Sequence, residues 1–268
     1  PDAPAGTRGL SLFLVPKLLA DGTRNDVACV GIEKKLGIHA SPTCTMRFGD
    51  TGGAVGWLVG TLHGGVAAMF TMMNNARLSV GLQGVAIGER ALQRAQTYAL
   101  NRGQGRGLVA GSGTITDHPD VRRMLLTMRA QTEAGRALAY AAAGAIDVAR
   151  RHPDPERRAA AAARVDLLTP IVKAWATDCG IETASIGIQI HGGMGFIEET
   201  GAAQHWRDAR IASIYEGTNG VQAGDLAFRK VARDGGAAMA ALIAEMQTIA
   251  TSLADRPGDA ALATAEGL

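Results

Sequence analysis

Aromatic side chains are scarce in this sequence, 4% of 268 residues, and there are only three cysteines. Cys29, Cys44 and Cys179 are widely spaced and odd in number, so they make no CxxC pair and no disulfide framework; a reducing cytoplasm is the expected compartment. The six histidines show no HExxH or comparable spacing, so no metal site is expected. A charge bias is also missing. The formal net charge of +2 argues against partnership with nucleic acid or a membrane surface. The most apolar run, Ala137 to Ile146, is too short to span a bilayer and is bounded by Arg136 and Asp147, and no signal peptide is expected. The first residue is Pro1, and a strand-like run from Gly9 to Pro16 follows almost at once, as though the chain entered the middle of a sheet; a fragment of a longer protein is expected.

What the sequence has is small and apolar. Hydrophobic residues make up 47% and glycines number 35, enough for a sizeable core with closely approaching backbones. Apolar runs Leu10 to Val15, Val27 to Ile32 and Ala54 to Val59 lie between turn clusters such as Ala20-Asp21-Gly22, and predict strands. No proline occurs between Pro42 and Pro119, and Met69, Met72, Met73, Leu78, Leu82 and Val85 keep helical spacing. One long helix is therefore predicted from about Gly65 to Asn101, ended by a Gly-rich stretch 102–113. A second is predicted from Asp117-His118-Pro119, with a cap candidate and a first-turn proline, to about Arg151. A third runs from about Glu156 to Ile190, with a bend expected at Pro170. A shorter helix follows Glu216, and the Ala-rich tail from about Gly235 is expected to be helical. This gives a mainly α chain with an antiparallel four-helix bundle. Two small-residue stripes are expected to allow close approach, Gly81/Gly84/Gly88 and Gly217/Gly220/Gly224.

The segment with the most chemistry is Arg207-Asp208-Ala209-Arg210-Ile211-Ala212-Ser213-Ile214-Tyr215-Glu216-Gly217-Thr218-Asn219-Gly220-Val221-Gln222. It sets one carboxylate after an apolar-aromatic pair at the start of a Gly-rich helix. Ile214 and Tyr215 are expected to desolvate Glu216, which suits a carboxylate base. Taken alone, a glutamate there is more often a first-turn residue favoured by the helix dipole.

That segment resembles the acyl-CoA dehydrogenase family, in which an RDA(R/K)I…IYEGT run carries the base. Three further matches occur in the family's order: Asn74-Asn75-Ala76-Arg77-Leu78, Tyr98-Ala99-Leu100-Asn101-Arg102 with Gly103-Gln104-Gly105-Arg106, and Gln189-Ile190-His191-Gly192-Gly193-Met194-Gly195-Phe196. The resemblance implies residues 1–62 as the end of a middle β domain, 63–234 as the C-terminal helical bundle, and 235–268 as the possible start of an extra helical domain. It implies FAD-dependent α,β-dehydrogenation of an acyl-CoA thioester to the trans-2-enoyl-CoA. Glu216 would take the α-proton, the β-hydride would pass to flavin N5, and an electron-transfer flavoprotein would accept the electrons. Arg77 would support the site by charge, with an inter-helix ion pair as its structural alternative. Tyr215, Gly217 and Asn74 would contact substrate. Arg102, Gln104, Gln189, Gly192, Gly193 and Thr218 would contact FAD, partly across a subunit interface in a homodimer or homotetramer.

Two departures from the family pattern matter. Gly220 stands where many members have a cofactor-contacting glutamine, and Ala76 excludes the variant in which the base precedes the arginine on the long helix. The runs MNNARL, HPDVRRML and YEGTNGVQA most resemble a larger bacterial subgroup that includes 3-methylthiopropionyl-CoA dehydrogenases. An acyl-CoA oxidase, a non-dehydrogenase relative of the DNA-associated alkylation-response type, and a purely structural bundle are the competing readings. The 268 residues alone are expected to bind FAD poorly and to be inactive.

Overall fold

The computed structural model describes residues 2–106 and 113–254, and for Asn74, Leu253 and Ala254 the backbone only. Part of the Gly-rich stretch 102–113 and the end of the tail therefore lie outside the described residues. Four short strands come first: β1 Leu12–Leu14, β2 Val27–Ile32, β3 Cys44–Phe48 and β4 Trp57–Val59. They form two antiparallel pairs, β1 with β4 (Phe13 opposite Leu58) and β2 with β3 (Val27 opposite Phe48, Ile32 opposite Cys44). The Asn25 side chain ties the pairs together. Its amide donates to the carbonyls of Pro16 and Val55 at 2.8 Å each, and its oxygen accepts from the Val55 N–H at 2.9 Å. β3 lies in the part expected to be β but outside the three apolar runs: its apolar Cys44, Met46 and Phe48 alternate with Thr45 and Arg47, and all five residues are exposed. The neighbouring Cys29 thiol pushes the Cys44 thiol above its ordinary value.

The helical part is α1 Gly65–Asn101, α2 Pro119–Arg151, α3 Pro155–His191, α4 Ala202–Ala209, α5 Asn219–Asp225 and α6 Ala237–Ala254. Each long helix starts and stops for a local reason. Pro119 and Pro155 occupy first-turn positions, where the missing N–H costs nothing. The Asp154 carboxylate caps α3 by accepting from the Glu156 N–H at 2.9 Å. Gly192, at φ 59°, ends that helix. At the start of α2 the cap position belongs to His118, without a side-chain cap, and Asp117 sits in the preceding 3-10 turn.

The first glycine stripe sets the packing. A Cβ on Gly81 would meet Val172, one on Gly84 would sit 2.3 Å from the Ala176 carbonyl oxygen, and one on Gly180 would sit 2.5 Å from that of Gly84. These contacts ascend together along both chains, so α1 and α3 run parallel with their backbones nearly touching. Gly88 meets Thr132 and Gly187 meets Met128, a descending order that makes α2 antiparallel to both. Two buried clusters fill the gaps: Ala91, Leu92, Ala95, Met124, Met128 and Ala184 towards one end, and Leu78, Ala139, Ala142, Leu168 and Val172 towards the other. Alanine dominates because the helix axes leave little room for more. The second stripe does not pack this way. A Cβ on Gly220 would meet only Thr218, and one on Gly224 would meet nothing within 4 Å.

Candidate active site

After α4 the chain tightens into a 3-10 turn, Arg210–Ser213, and then reverses through Ile214 to Thr218 before α5 begins. Glu216 is therefore not in a helical first turn. It precedes the cap residue Thr218 by two positions and adopts φ 56°, followed by Gly217 at φ 85°. A non-glycine residue in the left-handed region costs of order 1–3 kcal/mol and persists only where its surroundings enforce it. Several side chains do so here. The Gln222 amide, 1% exposed, donates to the carbonyls of Gly217 at 3.2 Å and Glu216 at 3.5 Å. The Thr218 hydroxyl accepts from the Val221 N–H at 3.2 Å. Tyr215 donates its phenolic proton to Gln83 of α1. Asn219 is gripped by α3, donating to the Ala174 carbonyl, Thr177 Oγ1 and Asp178 Oδ1.

Beneath the turn lie two buried cations. Arg77 Nη1 meets Asp225 Oδ2 at 2.9 Å with both side chains buried, and Asp225 Oδ1 also meets Arg229 Nε at 2.8 Å. Arg77 is thus in a buried ion pair between α1 and α5, while its Nη2 lies 3.7 Å from where a Cβ on Gly217 would sit. Arg77 Nε and Gln222 Oε1 are buried without partners among the described residues. The second cation is Lys173 of α3, fully buried, whose Nζ donates to Asn219 Oδ1 at 2.9 Å. Burial pushes this ammonium below the ordinary lysine value, whereas Asp178 and Glu216 draw it up and Arg77 draws it down. No sequence signal flagged Lys173, which sits in an otherwise unremarked helical run.

Glu216 itself is half-buried, and neither its carboxylate nor its N–H makes a hydrogen bond or ion pair among the described residues. Ile214 does not enclose it, being 45% exposed; its side chain turns outward because the 3-10 turn ends there. Of the expected substrate contacts, Tyr215 and Gly217 flank Glu216 directly. Asn74 lies on α1 one turn before Arg77, and its side chain is outside the described residues.

The expected cofactor residues, Thr218 apart, gather at the opposite end of the bundle. Arg102 and Gln104 follow α1, with Arg102 Nη2 donating to Gln104 Oε1 at 3.4 Å, and they share a hollow with Tyr98, His118, Ile190 and Gly192. Tyr98 stacks on His191 with centroids 4.4 Å apart. Burial holds His191 below its ordinary pKa, against the pull of the Gly187 carbonyl its Nδ1 meets at 2.7 Å. Gln189 is exposed beside this hollow. A Cβ on Gly192 or Gly193 would meet nothing within 4 Å, so the turn has open space above bare backbone. The two ends are far apart. The 25 residues of α1 from Arg77 to Arg102 correspond to about 37 Å of helix.

Among the described residues there is no cluster of three or more metal-ligating side chains, and no helix is long and apolar enough to cross a membrane.

Residues 63–230 match the family description "Acyl-CoA dehydrogenase, C-terminal domain", and the chain belongs to the acyl-CoA dehydrogenase family. It is 55% identical over 244 residues to the 3-methylmercaptopropionyl-CoA dehydrogenase of Ruegeria pomeroyi, covering 88% of this chain and 41% of that protein. It is 39% identical to the broad-specificity linear acyl-CoA dehydrogenase FadE5 of Mycobacterium tuberculosis, covering 93% of this chain and 43% of that one. Its fold matches the acyl-CoA dehydrogenase of Bacillus anthracis, solved as a complex with FAD, with a TM-score of 0.73 and 26% identity over 92% of this chain and 42% of that one. The chain thus spans about two fifths of the length of the curated relatives it matches.

Proposed function

We propose that this chain is the helical part of a FAD-dependent acyl-CoA dehydrogenase and that Glu216 removes the α-proton of the bound thioester. The observation that carries this reading is a carboxylate with no hydrogen bond or ion pair among the described residues, held in a left-handed turn, with an N–H on the same residue that is likewise uncommitted among them. A thioester α-C–H is a weak acid, so its removal needs both a base and a donor to the carbonyl oxygen on which charge gathers. Glu216 offers both from one residue: its carboxylate takes the proton, and its N–H donates to the carbonyl oxygen. Arg77, committed to Asp225, does not touch the substrate; it supports the turn from below. Tyr215 and Gly217 flank the thioester, and Asn74 is placed one helical turn from Arg77 on the same side.

The residues at the far end fit a dinucleotide. The Arg102 guanidinium suits a pyrophosphate, Gln104 and Gln189 offer amide groups, and the open backbone at Gly192 and Gly193 leaves room for an adenosine. The Thr218 hydroxyl, with its lone pair used by Val221, retains a proton to donate near Glu216. When bound, FAD supplies the acceptor for the β-hydride. Because about 37 Å of helix separates Arg102 from Arg77, further than one dinucleotide reaches, two copies of the chain complete each cofactor site. An electron-transfer flavoprotein is the proposed acceptor of the electrons. The similarity to the Ruegeria protein makes 3-methylthiopropionyl-CoA the first substrate to assay. We also propose that the 268 residues alone do not turn over; oxidation of an acyl-CoA by this piece with an artificial acceptor would refute that.

The central test is Glu216→Gln in the full-length protein. FAD should stay bound, and bleaching of the flavin by acyl-CoA should slow by at least about a hundredfold, the usual scale for losing a general base. Bleaching at the wild-type rate would place the base elsewhere.

A further inference from the structure

We infer that Lys173 is a positioning residue for the Glu216 turn, acting through Asn219; the inference rests on the reading of Glu216 as the base.

The geometry starts from an unusual cost. A lysine ammonium with no exposed surface has given up its hydration, which a protein tolerates only when the group is held by partners. Lys173 has one hydrogen bond, to Asn219 Oδ1 at 2.9 Å. Its two other N–H bonds find no acceptor among the described residues. Asn219 is the first residue of α5, three positions after Glu216, and it makes four further hydrogen bonds, one accepted from Thr177 at 3.4 Å and three donated, all to α3. One side-chain amide therefore fastens the start of α5 onto the long helix, and the ammonium fixes which way that amide faces. A flipped amide would point its NH₂ at the Lys173 ammonium and its oxygen at the Ala174 carbonyl and the Asp178 carboxylate, which both geometries forbid. With Asn219 fixed, Thr218 caps α5, Gln222 reaches back to the carbonyls of Glu216 and Gly217, and the left-handed pair has nowhere to relax.

The charges around Lys173 come from every side. Asp178 lies on its own helix, Arg77 on α1 paired with Asp225 of α5, and Glu216 in the turn. A neutral side chain of the same shape would keep the packing and lose the hold on Asn219. Misplacing a reacting group by about 1 Å costs up to about a hundredfold in rate, so a loosened turn should show in the chemical step while substrate binding is largely kept.

The test uses the full-length protein with its flavin bound. Lys173→Met and Asn219→Ala should each keep FAD and substrate Kd while slowing flavin reduction by about ten- to a hundredfold. The double variant should be no slower than the worse single one, because both changes break the same link. Lys173→Arg should recover most of the rate. The pH profile supplies a readout that mere packing would not move. Lys173 is charged below its burial-depressed pKa, so the rate should fall as pH rises through that value, and Lys173→Arg should carry this fall to higher pH. A wild-type reduction rate in folded Lys173→Met, or effects of the two single variants that multiply in the double, would overturn the inference. If Lys173→Met does not fold, Asn219→Ala at the wild-type rate, or an unmoved basic limb in Lys173→Arg, overturns it equally. Glu216→Gln run alongside separates the two claims: retained bleaching there refutes the base, whatever Lys173 does.

Discussion

Replacing Asp225 with asparagine removes the carboxylate that meets Arg77 at 2.9 Å inside the protein. Arg77 is 4% exposed and its Nε is buried without a partner among the described residues, so its charge would be left facing a neutral amide. Breaking a buried pair from one side costs about 3–5 kcal/mol. The upper end applies to Asp225→Asn, because no other carboxylate among the described residues bonds to Arg77. Arg77→Met should sit at the lower end, near 3 kcal/mol by the same rule, since Asp225 keeps Arg229 on its exposed side at 2.8 Å. For a chain of this size the range corresponds to a fall in Tm of about 6–20 °C. The double variant should cost clearly less than the two singles summed, because the second change removes the charge that the first one stranded. Urea unfolding followed by circular dichroism reads all three. A loss below about 1 kcal/mol for Asp225→Asn, the level of an exposed pair, or strict additivity in the double variant, would show that this pair is not the desolvated link between α1 and α5 described above.

Gly84→Ala should destabilise by more than about 2 kcal/mol, because its methyl would fall 2.3 Å from a backbone oxygen that cannot rotate away; chemical denaturation within 0.5 kcal/mol of wild type (about the surface-substitution level) would contradict the close α1–α3 contact. Arg102→Gln should weaken FAD retention several-fold in equilibrium dialysis of the full-length protein and leave Tm of the flavin-free form unchanged, since its side chain is exposed; undiminished retention would remove it from the cofactor site. The buried imidazole of His191 predicts a pH effect on stability. Its pKa is depressed on folding from the ordinary 6.5, so the unfolded chain binds the extra proton first. Its contribution is fully present above the unfolded value and is lost as pH falls through the folded one; His191→Phe should flatten the fall in unfolding free energy on that acid side.

The long helices were legible because their limits are written locally. A proline-free run with helical spacing marks α1, Pro119 and Pro155 mark the starts of α2 and α3, and Gly192 marks an end. The first glycine stripe was legible as close packing for the same reason: three small residues on one face leave a groove. The second stripe is not used for helix packing: the space over Gly224 is open, and a Cβ on Gly220 would meet only Thr218. β3 fell outside the continuous apolar runs because its apolar Cys44, Met46 and Phe48 alternate with Thr45 and Arg47. The motif located Glu216, but its left-handed backbone was not readable, since Gln222, Thr218 and Asn219 impose it together. Asp225 as the partner of Arg77, 148 residues away, and Lys173 as the partner of Asn219, 46 residues away, depend on how three helices cross.

The near-contact of α1 and α3 backbones makes these two helices a stiff strut between the Glu216 turn and the Arg102 end. On the proposed reading, one copy serves two reaction centres at once, giving its glutamate to one flavin and its arginine to the next. A lesion at either end of the chain would then silence a different centre from the one its neighbour silences. Inheritance of two unlike defective copies could leave one centre per pair whole.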